Sequence, residues 1–342
     1  MKISDLIVSY TAALVVNCAV CSSLLAQTGA DFYKGKTVTY IASTAPGGGY
    51  DTYARLVAEF MQKHLPGSTF VIKNVPGAGH LIGANTIYAS KADGLTIGIF
   101  NTGLIYNQIL RSPGVNFDLA KMSWVGKASS DPRIIAVGVQ SSIKTFKDLQ
   151  DSKQIVTLAS GGVGSSGYVE TTMLINVLKL PAKILTGYNG NDDQLALRRG
   201  EITGTVVSSR SSWESFVKNG YGRFIIQIGG SETDLPQLAT MVTDPTAKGV
   251  IALIQSQGDV GRLTAGPPGI PKDRLDALRS AYKAAMEDPD LLAKAEKLQV
   301  PIDPLYGDDV LTRVKAALEQ TPDTIALLYE AMNKKEDAPS SK

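Results

Sequence analysis

The sequence is poor in the side chains that enzymes use for nucleophilic or metal chemistry. Of its 342 residues only two are cysteine, Cys18 and Cys21, and both lie within the first 26 residues. The rest of the chain therefore has no thiolate nucleophile, no disulfide framework and no cysteine metal site. His64 and His80 are the two histidines of the sequence, so a Ser-His-Asp triad or a histidine metal site is poorly supplied.

The chain also lacks an excess of charge of either sign. Its 34 lysine and arginine residues are balanced by 32 aspartate and glutamate residues, which leaves a formal net charge of +2. Without a basic stripe to contact phosphates, nucleic acid is not expected as a partner. Hydrophobic residues make up 44% and charged residues 19% of the chain, which is typical of an ordinary globular protein.

The first 26 residues have the pattern of a secretory signal peptide. Lys2 precedes an apolar segment from Leu6 to Leu25, and small residues around position 26 offer a cleavage site. A retained membrane anchor is the alternative, because the apolar segment is about long enough to span a bilayer. Lipid attachment at Cys21 is less favoured, since Val20 is not the small residue expected there. We predict cleavage and a periplasmic location.

The residues that follow are numerous enough for two lobes, because a single hydrophobic core rarely grows beyond about 250–300 residues. Short apolar runs alternate with stretches of helical period from residue 37, and this alternation restarts after Pro132. The predicted elements include strands over Thr69–Asn74, Arg133–Val139 and Ile202–Val207 and a helix over Asp192–Arg199. The pattern indicates α/β lobes with mainly parallel sheets. Near the end helices dominate, including one predicted over Asp308–Met332, and these helices need a sheet to cover.

We therefore expect the chain to cross between lobes near 129–133 and to return near 257–262, which makes a two-stranded hinge. Such lobes can close over a ligand by hinge motion. The predicted segments are a signal peptide at 1–26, a first lobe at 27–131, a second lobe at 132–257, a return to the first lobe at 258–334 and a disordered tail at 335–342.

Two glycine-rich turns of the same design follow predicted strands and precede predicted helices. The first is Thr44–Asp51 (TAPGGGYD) and the second is Ser160–Gly167 (SGGVGSSG). Each offers free backbone N–H groups at a helix N-terminus, where the positive end of the helix dipole favours an anion. Either turn alone could be a tight connection without a ligand. Together they predict an anion held from two sides, and a bulky side chain at Gly48 or Gly162 is expected to block binding.

Charged residues beside the first turn have structural interpretations. Asp51 is expected to cap or begin the following helix, and Arg55 is expected to pair with Asp51.

The later glycine cluster Gly77–Gly83 has the spacing GxGxxxG, which departs from the dinucleotide fingerprint. We expect a structural turn there.

Polar residues that follow other predicted strands add candidates for the same site. Because the carboxyl ends of parallel strands share one edge of a sheet, ligands bind there. Each group alone could be a capping turn, and Arg210 is the candidate positive charge. The groups are Asn101 and Thr102, then Tyr188, Asn189 and Gly190, then Ser208, Ser209 and Arg210.

These motifs together resemble the Bug, or TctC-type, extracytoplasmic receptors of tripartite tricarboxylate transporters. The resemblance extends over nearly all of the chain after the signal peptide, and the combination of motifs is more specific than any one of them. The segments that carry it are Thr44–Arg55 (TAPGGGYDTYAR), Val71–Gly79 (VIKNVPGAG), Ala92–Ile97 (ADGLTI), Ala159–Ser165 (ASGGVGS), Gly187–Gly190 (GYNG), Pro267–Pro271 (PPGIP) and Asp288–Pro289.

The resemblance implies a type 2 periplasmic-binding-protein fold, with two α/β lobes joined by a two-stranded hinge and a carboxylate ligand between them. This chain departs from the family pattern at Tyr168, where many members have histidine, at Thr203, where they have an acidic residue, and at Asn189, where lysine is usual. The ligand-binding residues carried over are Pro46, Gly47, Gly48, Gly49 and Tyr50 in the first turn, Ser160, Gly161, Gly162, Gly164 and Ser165 in the second, and Tyr188, Asn189 and Gly190.

The resulting prediction is a receptor without enzymatic activity or cofactor, which acts as a monomer and delivers a small organic acid to a two-component membrane permease. Two alternatives stay open at the level of the sequence. One is an exported α/β enzyme that acts on a carboxylated or phosphorylated metabolite, and the other is a ligand-sensing partner of a signalling protein.

Overall fold

The structure is a computed structural model that describes residues 29–188, 191–230 and 233–333. The predicted signal peptide, the predicted tail at 335–342 and the candidate residues Asn189 and Gly190 lie outside the described residues. Among the described residues, no helix has both the length and the apolar character needed to cross a bilayer.

Strands and helices alternate along most of the described chain. The strands are β1 (Thr37–Ala42), β2 (Thr69–Asn74), β3 (Thr96–Phe100), β4 (Ser123–Lys127), β5 (Arg133–Gly138), β6 (Val156–Ser160), β7 (Ala182–Thr186), β8 (Gly204–Thr205), β9 (Ser208–Ser209), β10 (Gly222–Ile228), β11 (Leu263–Gly266) and β12 (Leu305–Tyr306). The helices are α1 (Gly29–Phe32), α2 (Gly49–Lys63), α3 (Leu81–Tyr88), α4 (Gly103–Ile109), α5 (Phe146–Gln150), α6 (Ser166–Leu178), α7 (Asp192–Arg199), α8 (Glu214–Lys218), α9 (Leu238–Met241), α10 (Pro245–Gly258), α11 (Lys272–Met286), α12 (Pro289–Leu298), α13 (Gly307–Leu318) and α14 (Pro322–Asn333).

Two mixed sheets form the centres of the two lobes. In the first the described strands follow the order β12-β4-β11-β3-β1-β2, with β1 parallel to both β2 and β3 and with β11 antiparallel to β3. In the second the order is β10-β5-β8-β6-β7, with β6 parallel to β7 and β8. The carboxyl ends of the parallel strands β1, β3 and β6 are followed by the candidate residues of the site.

Helix α2 shows why the first lobe folds as it does. Its apolar residues recur at helical spacing, and Tyr53, Val57, Phe60 and Met61 are buried in the core of this lobe. Such a stripe places the helix on the sheet and leaves the opposite face in water. The helix therefore presents its N-terminus at the edge of the sheet, where the glycine turn lies.

The two connections between the lobes run side by side. The backbone N–H of Ala128 donates to the carbonyl oxygen of Arg262 at 3.2 Å, and the N–H of Asp131 donates to the carbonyl oxygen of Gly258 at 3.1 Å. Each connection holds the other in place, so the hinge consists of two hydrogen-bonded segments.

The carboxyl-terminal part of the chain differs from expectation in two ways. The helix predicted over Asp308–Met332 is two helices, α13 and α14, because Pro322 cannot continue a preceding helix. The predicted return of 258–334 to the first lobe also needs correction, since α14 packs on α6 of the second lobe. Leu328 is fully buried in the core of that lobe, and this burial holds the last helix there.

The strand predicted over Ile202–Val207 is also shorter than expected. Only Gly204–Thr205 pairs within the second sheet, followed by a separate short pairing of Ser208–Ser209 with β5. Thr205 Oγ1 donates to the carbonyl oxygen of Val206. The apolar residues Val206 and Val207 are buried without strand pairing, so their pattern indicated burial rather than strand.

Candidate ligand-binding cleft

A cleft of about 390 Å³ lies between the lobes. This volume is within the range of about 300–1,000 Å³ found for small-molecule sites. Residues from both lobes line it. The predicted site residues among its lining are Gly47, Gly48, Gly49, Tyr50, Asn101, Ser160, Gly161, Ser165 and Tyr188, with Ser208 and Ser209 beside them.

Other predicted site residues do not line the cleft. Pro46 and Gly162 belong to the two turns, Gly164 has a positive φ of 89° that shapes the second turn, and Thr102 is fully buried. A Cβ at Gly162 would meet no atom within 4 Å, so the structure gives no steric reason for the block expected there. The predicted site residues outside the lining of the cleft are thus Pro46, Thr102, Gly162, Gly164 and Arg210.

The first glycine turn leaves the N-terminus of α2 open to the cleft. Gly48 is the N-cap residue, with φ −81° and ψ 168°, and it makes no side-chain cap hydrogen bond. The N–H groups of the first helical turn lack acceptors within the helix. Gly47 has a positive φ of 90°, a conformation that glycine adopts at little cost. The turn can therefore offer donors of Gly49 and Tyr50 to an anion.

One amide of this turn is already engaged by the helix itself. The Gly47 N–H donates to Asp51 Oδ2 at 3.0 Å, and the Arg55 Nε donates to the same oxygen at 2.9 Å. Asn74 donates to Asp51 Oδ1 at 2.8 Å. Burial raises the pKa of Asp51, but these hydrogen bonds outweigh burial and hold its pKa below the ordinary value. The expected pairing of Arg55 with Asp51 is thus confirmed.

The second turn is organised by two serines. Ser165 is the N-cap of α6, where its Oγ accepts from the Tyr168 N–H at 3.4 Å and donates to the Gly162 carbonyl oxygen at 2.8 Å. Ser160 lies at the end of β6, and its Oγ is 3.3 Å from the Ser165 Oγ. The hydroxyls fix the shape of the turn, which leaves the Gly161 backbone on the cleft surface.

The lobes approach each other closely beside the second turn. Asn107 Nδ2 donates to the Gly164 carbonyl oxygen at 3.0 Å. A Cβ at Gly103 would lie 2.6 Å from the Ser166 backbone nitrogen, and one at Gly79 would lie 2.9 Å from the Val163 carbonyl oxygen. Glycine at 79 and 103 therefore allows the first lobe to touch the backbone of the second turn.

Arg210 does not supply the positive charge of the cleft. Its guanidinium forms paired hydrogen bonds to Asp234 at 2.8 and 2.7 Å, and its Nε donates to Glu214 at 2.6 Å. A further bond at 2.8 Å goes to Gln227. These contacts hold the side chain away from the cleft, and this corrects the expectation drawn from its position after a strand.

Arg262 of the hinge is one of two buried cations that do line the cleft. Its Nη2 donates to Asp131 Oδ2 at 3.2 Å and lies 3.3 Å from both Ser211 Oγ and Ser212 Oγ. Asp131 also accepts from the N–H and the hydroxyl of Ser211. The Nη1 atom has no hydrogen-bond acceptor in the part of the chain that the structure describes. A ligand oxygen could use this donor.

Arg133 is the second buried cation. Its Nη2 donates to Thr102 Oγ1 of the first lobe at 2.9 Å and to Glu170 Oε1 at 3.3 Å, and its Nη1 donates to Ser209 Oγ at 3.0 Å. Tyr106 donates to the same Glu170 oxygen at 3.3 Å. Burial raises the pKa of Glu170, although Arg133 opposes the rise. Thr102 therefore contacts Arg133 across the lobes rather than the cleft.

Sequence reasoning missed both arginines. Arg133 was expected only as the first residue of a strand, and Arg262 only as part of the returning hinge segment. Their counter-ions are Glu170, 37 residues later, and Asp131, 131 residues earlier. The one signal available was that both arginines fall at predicted hinge ends, where the two lobes meet.

His80 also faces the cleft, where its surroundings favour the neutral imidazole. Its Nδ1 lies 2.6 Å from the Ser43 carbonyl oxygen, which can only accept, so Nδ1 carries the proton. Burial lowers the pKa of His80, and the hydrogen bond to Ser43 only partly offsets this. The ring packs 5.7 Å from that of Tyr50. His80 has no acidic partner in the described residues of the kind that a catalytic triad requires.

The family model "Tripartite tricarboxylate transporter family receptor" (TctC) matches residues 53–321, which is most of the chain. The chain belongs to this family. A UPF0065 protein of Pseudomonas sp. (strain P51), encoded between tcbD and tcbE, is 23% identical over 287 residues, covering 79% of this chain and 80% of that protein.

Solved structures agree with the assignment of this TctC-family chain to the two-lobe α/β fold. The periplasmic binding protein BugD superposes with a TM-score of 0.73 at 21% identity, over 87% of this chain and 98% of BugD. MatC from Rhodopseudomonas palustris, described with bound malate, gives 0.66 at 20% identity, over 83% and 99% of the two chains. The predicted periplasmic-binding-protein fold is confirmed.

Proposed function

We propose that this TctC-family protein captures a small organic carboxylate in the cleft between its lobes, outside the cytoplasm, and delivers it to a two-component membrane permease. The observation that carries the proposal is that the uncapped N-terminus of α2 and the buried Arg262 line the same cleft. Both features stabilise an anion. The family description, which names a tripartite tricarboxylate transporter, supports the choice of partner.

The cleft is suited to holding one carboxylate rather than a highly charged anion. Arg133 and Arg262 are each offset by a buried carboxylate, Glu170 and Asp131 respectively. The remaining lining is rich in hydroxyl, amide and backbone groups. Hydrogen bonds from these groups would set selectivity by geometry, because neutral donors discriminate by position more than by charge. The malate in MatC, a protein of the same fold, supports a carboxylate as the class of ligand.

Capture would couple to closure of the lobes. A ligand that contacts the first turn and the second turn at once favours the conformation in which both are near. Asn107 and Gly164 already form a hydrogen bond between the lobes at 3.0 Å. The permease would then recognise the closed, loaded form. We propose that a monomer suffices, since the described residues of one chain line the cleft from both sides.

A thermal-shift screen tests the proposal. The purified protein is mixed with dicarboxylates, tricarboxylates, aromatic acids and amino acids, and a ligand that binds only the folded state raises Tm. Recovery of the ligand chemically intact after saturable binding supports a receptor. Recovery of an altered ligand would instead support the exported enzyme. Loss of uptake of the identified acid in cells that lack the gene, restored by the gene, tests delivery to the permease.

A further inference from the structure

Asp193 is a carboxylate inside the cleft that no anion-binding role explains. It lies in the first turn of α7, next to Asn191 and Gln194, and all three line the cleft. Across the cleft is Gly47 of the first glycine turn, where a Cβ would lie 3.7 Å from Asn191 Nδ2. An acidic group near the expected position of an anionic ligand must take up a proton, repel that ligand or contact another part of it.

No side chain among the described residues donates to the carboxylate of Asp193. Its Oδ1 accepts from the Gln194 N–H at 2.8 Å, and the other hydrogen bond to the carboxylate comes from its own backbone N–H. Gln194 in turn donates from Nε2 to the Ser212 carbonyl oxygen at 3.1 Å. The beginning of the helix is thereby fixed to the second lobe, and Asp193 is held in place by backbone rather than by a cation.

The positively charged side chains of the cleft are not paired with Asp193. Among the described residues it forms no salt bridge, and Arg133 and Arg262 of the same cleft are paired with Glu170 and Asp131. Burial, together with the neighbouring charge of Asp192, raises the pKa of Asp193 to about 7. The other titratable groups of the cleft are Tyr50, His80 and Tyr188. A phenol has no cationic form, and burial lowers the pKa of His80.

We propose that Asp193 selects an acid that also carries an ammonium group, so that the ligand is an amino acid or a related zwitterion. The ammonium donates to a carboxylate oxygen of Asp193, while the first glycine turn and Arg262 hold the carboxylate of the ligand. This inference rests on the proposed function and names its ligand class. It assigns a role to a carboxyl group whose ionised form would otherwise oppose every anionic ligand.

Matched pairs of acids test the inference by isothermal titration calorimetry. The pairs are aspartate with succinate, glutamate with glutarate, and alanine with propionate, with malate as the hydroxylated acid. We expect the amino member of at least one pair to bind about tenfold or more tightly than its partner, as one charge-assisted hydrogen bond allows. Asp193→Asn should abolish that preference and tighten the binding of the partner that lacks nitrogen.

The control variant is Asp192→Asn, which makes the same chemical change one residue earlier. Asp192 is exposed and does not line the cleft. It should therefore keep the preference of the native protein for the amino member. If Asp192→Asn loses the preference as fully as Asp193→Asn does, a general effect of charge on the helix replaces the direct contact, and the inference fails.

The pH dependence supplies a second readout. Between pH 6.5 and 8 Asp193 changes from largely protonated to largely ionised, so the affinity for the ammonium-bearing acid should rise. Over the same range the affinity for its partner without nitrogen should fall, because the ionised carboxylate repels it. In Asp193→Asn neither affinity should change over this pH range. A native protein whose two affinities do not change with pH would contradict the inference.

The possible failures are distinguishable. If the partners without nitrogen bind as tightly as the amino acids and Asp193→Asn alters neither, the inference falls while the receptor proposal stands. If malate alone shows the dependence on Asp193, the contact is to a hydroxyl group, and the proposed contact with an ammonium group is wrong. If no carboxylate binds at all, the proposed function itself is wrong.

Discussion

The guanidinium carbon of Arg262 lies 4.4 Å from the centre of the Tyr50 ring and 4.8 Å from that of Tyr53. Arg262 belongs to the hinge and the two tyrosines to the first two turns of α2. Cation–π contacts of this kind stabilise by about 0.5–2 kcal/mol each. The glycine turn and the hinge are therefore held together by one side chain, which also extends into the cleft.

Replacing Arg262 with methionine should destabilise the fold strongly. Asp131, with its side chain only 2% exposed, would lose its cation, and an uncompensated buried charge costs about 3–5 kcal/mol. Urea denaturation followed by circular dichroism measures the loss. The double variant Arg262→Met with Asp131→Asn should lose less than the sum of the two single changes. Strict additivity would show that the pair does not interact.

Gly103→Ala should weaken ligand binding without weakening the helix that it begins. Alanine is intrinsically better in a helix by about 1 kcal/mol, but its Cβ would lie 2.6 Å from the Ser166 nitrogen and 3.0 Å from the Gly164 oxygen of the other lobe. The clash should push the lobes apart, with a loss in affinity of about fivefold or more, because overpacking costs about 1–3 kcal/mol.

Gly162→Ala is the matched control for that change. Its Cβ would meet no atom within 4 Å, so the affinity should stay close to that of the native protein. Calorimetric titration with the identified acid gives both affinities, and small-angle scattering reports the separation of the lobes. An unchanged affinity in Gly103→Ala would show that the lobes need not approach this closely when the ligand binds.

Asp51→Asn should reduce stability in a pH-dependent manner. The folded pKa of Asp51 lies below its ordinary value, so the ionised carboxylate stabilises the fold above the unfolded pKa near 4, and this stabilisation is lost as the pH falls through the folded pKa. We expect a cost of about 1–3 kcal/mol at pH 7. Urea denaturation between pH 3 and 8 should show the two proteins converging in acid; a constant gap would contradict the assignment.

Leu328→Ala should detach the last helix from the second lobe. Leu328 is fully buried against that lobe's core, and removing a buried leucine side chain costs about 2–5 kcal/mol. Ile325→Ala on the same helix is the control, since Ile325 is 36% exposed. Hydrogen exchange across Pro322–Asn333 should rise for the first variant. Equal exchange in both would show that Leu328 does not anchor the helix.

Elements whose residues pack locally were predictable from the sequence. The strand Thr69–Asn74 and the helix Asp192–Arg199 were predicted at the bounds that the structure has. Both are flanked by turn residues and carry a clear period. Strand β4 was missed, because Gly126 and Lys127 interrupt its apolar pattern and its partner β11 begins more than 130 residues later. Pairing over such a distance leaves no local trace.

The glycine turns of the candidate site were predictable for the same reason, since the glycines that these backbone conformations require stand next to one another in the sequence. The buried charges of the cleft were not predictable. An arginine or aspartate in a sequence is normally exposed, and only the fold reveals that Arg133, Arg262 and Asp131 are buried together with counter-ions from distant segments. Asp193 likewise reads as a residue of a helix start until the cleft is seen beside it.

The placement of the last helix has a practical consequence. Helix α1 packs with α11 in the first lobe, whereas α14 packs on the second lobe, so the two ends of the described chain are attached to different lobes. The sequence has no cysteine beyond Cys21. With Cys18→Ser and Cys21→Ser, the changes Ala30→Cys and Glu330→Cys would leave two thiols for a donor and an acceptor dye. Their energy transfer would report the opening and closing of single molecules.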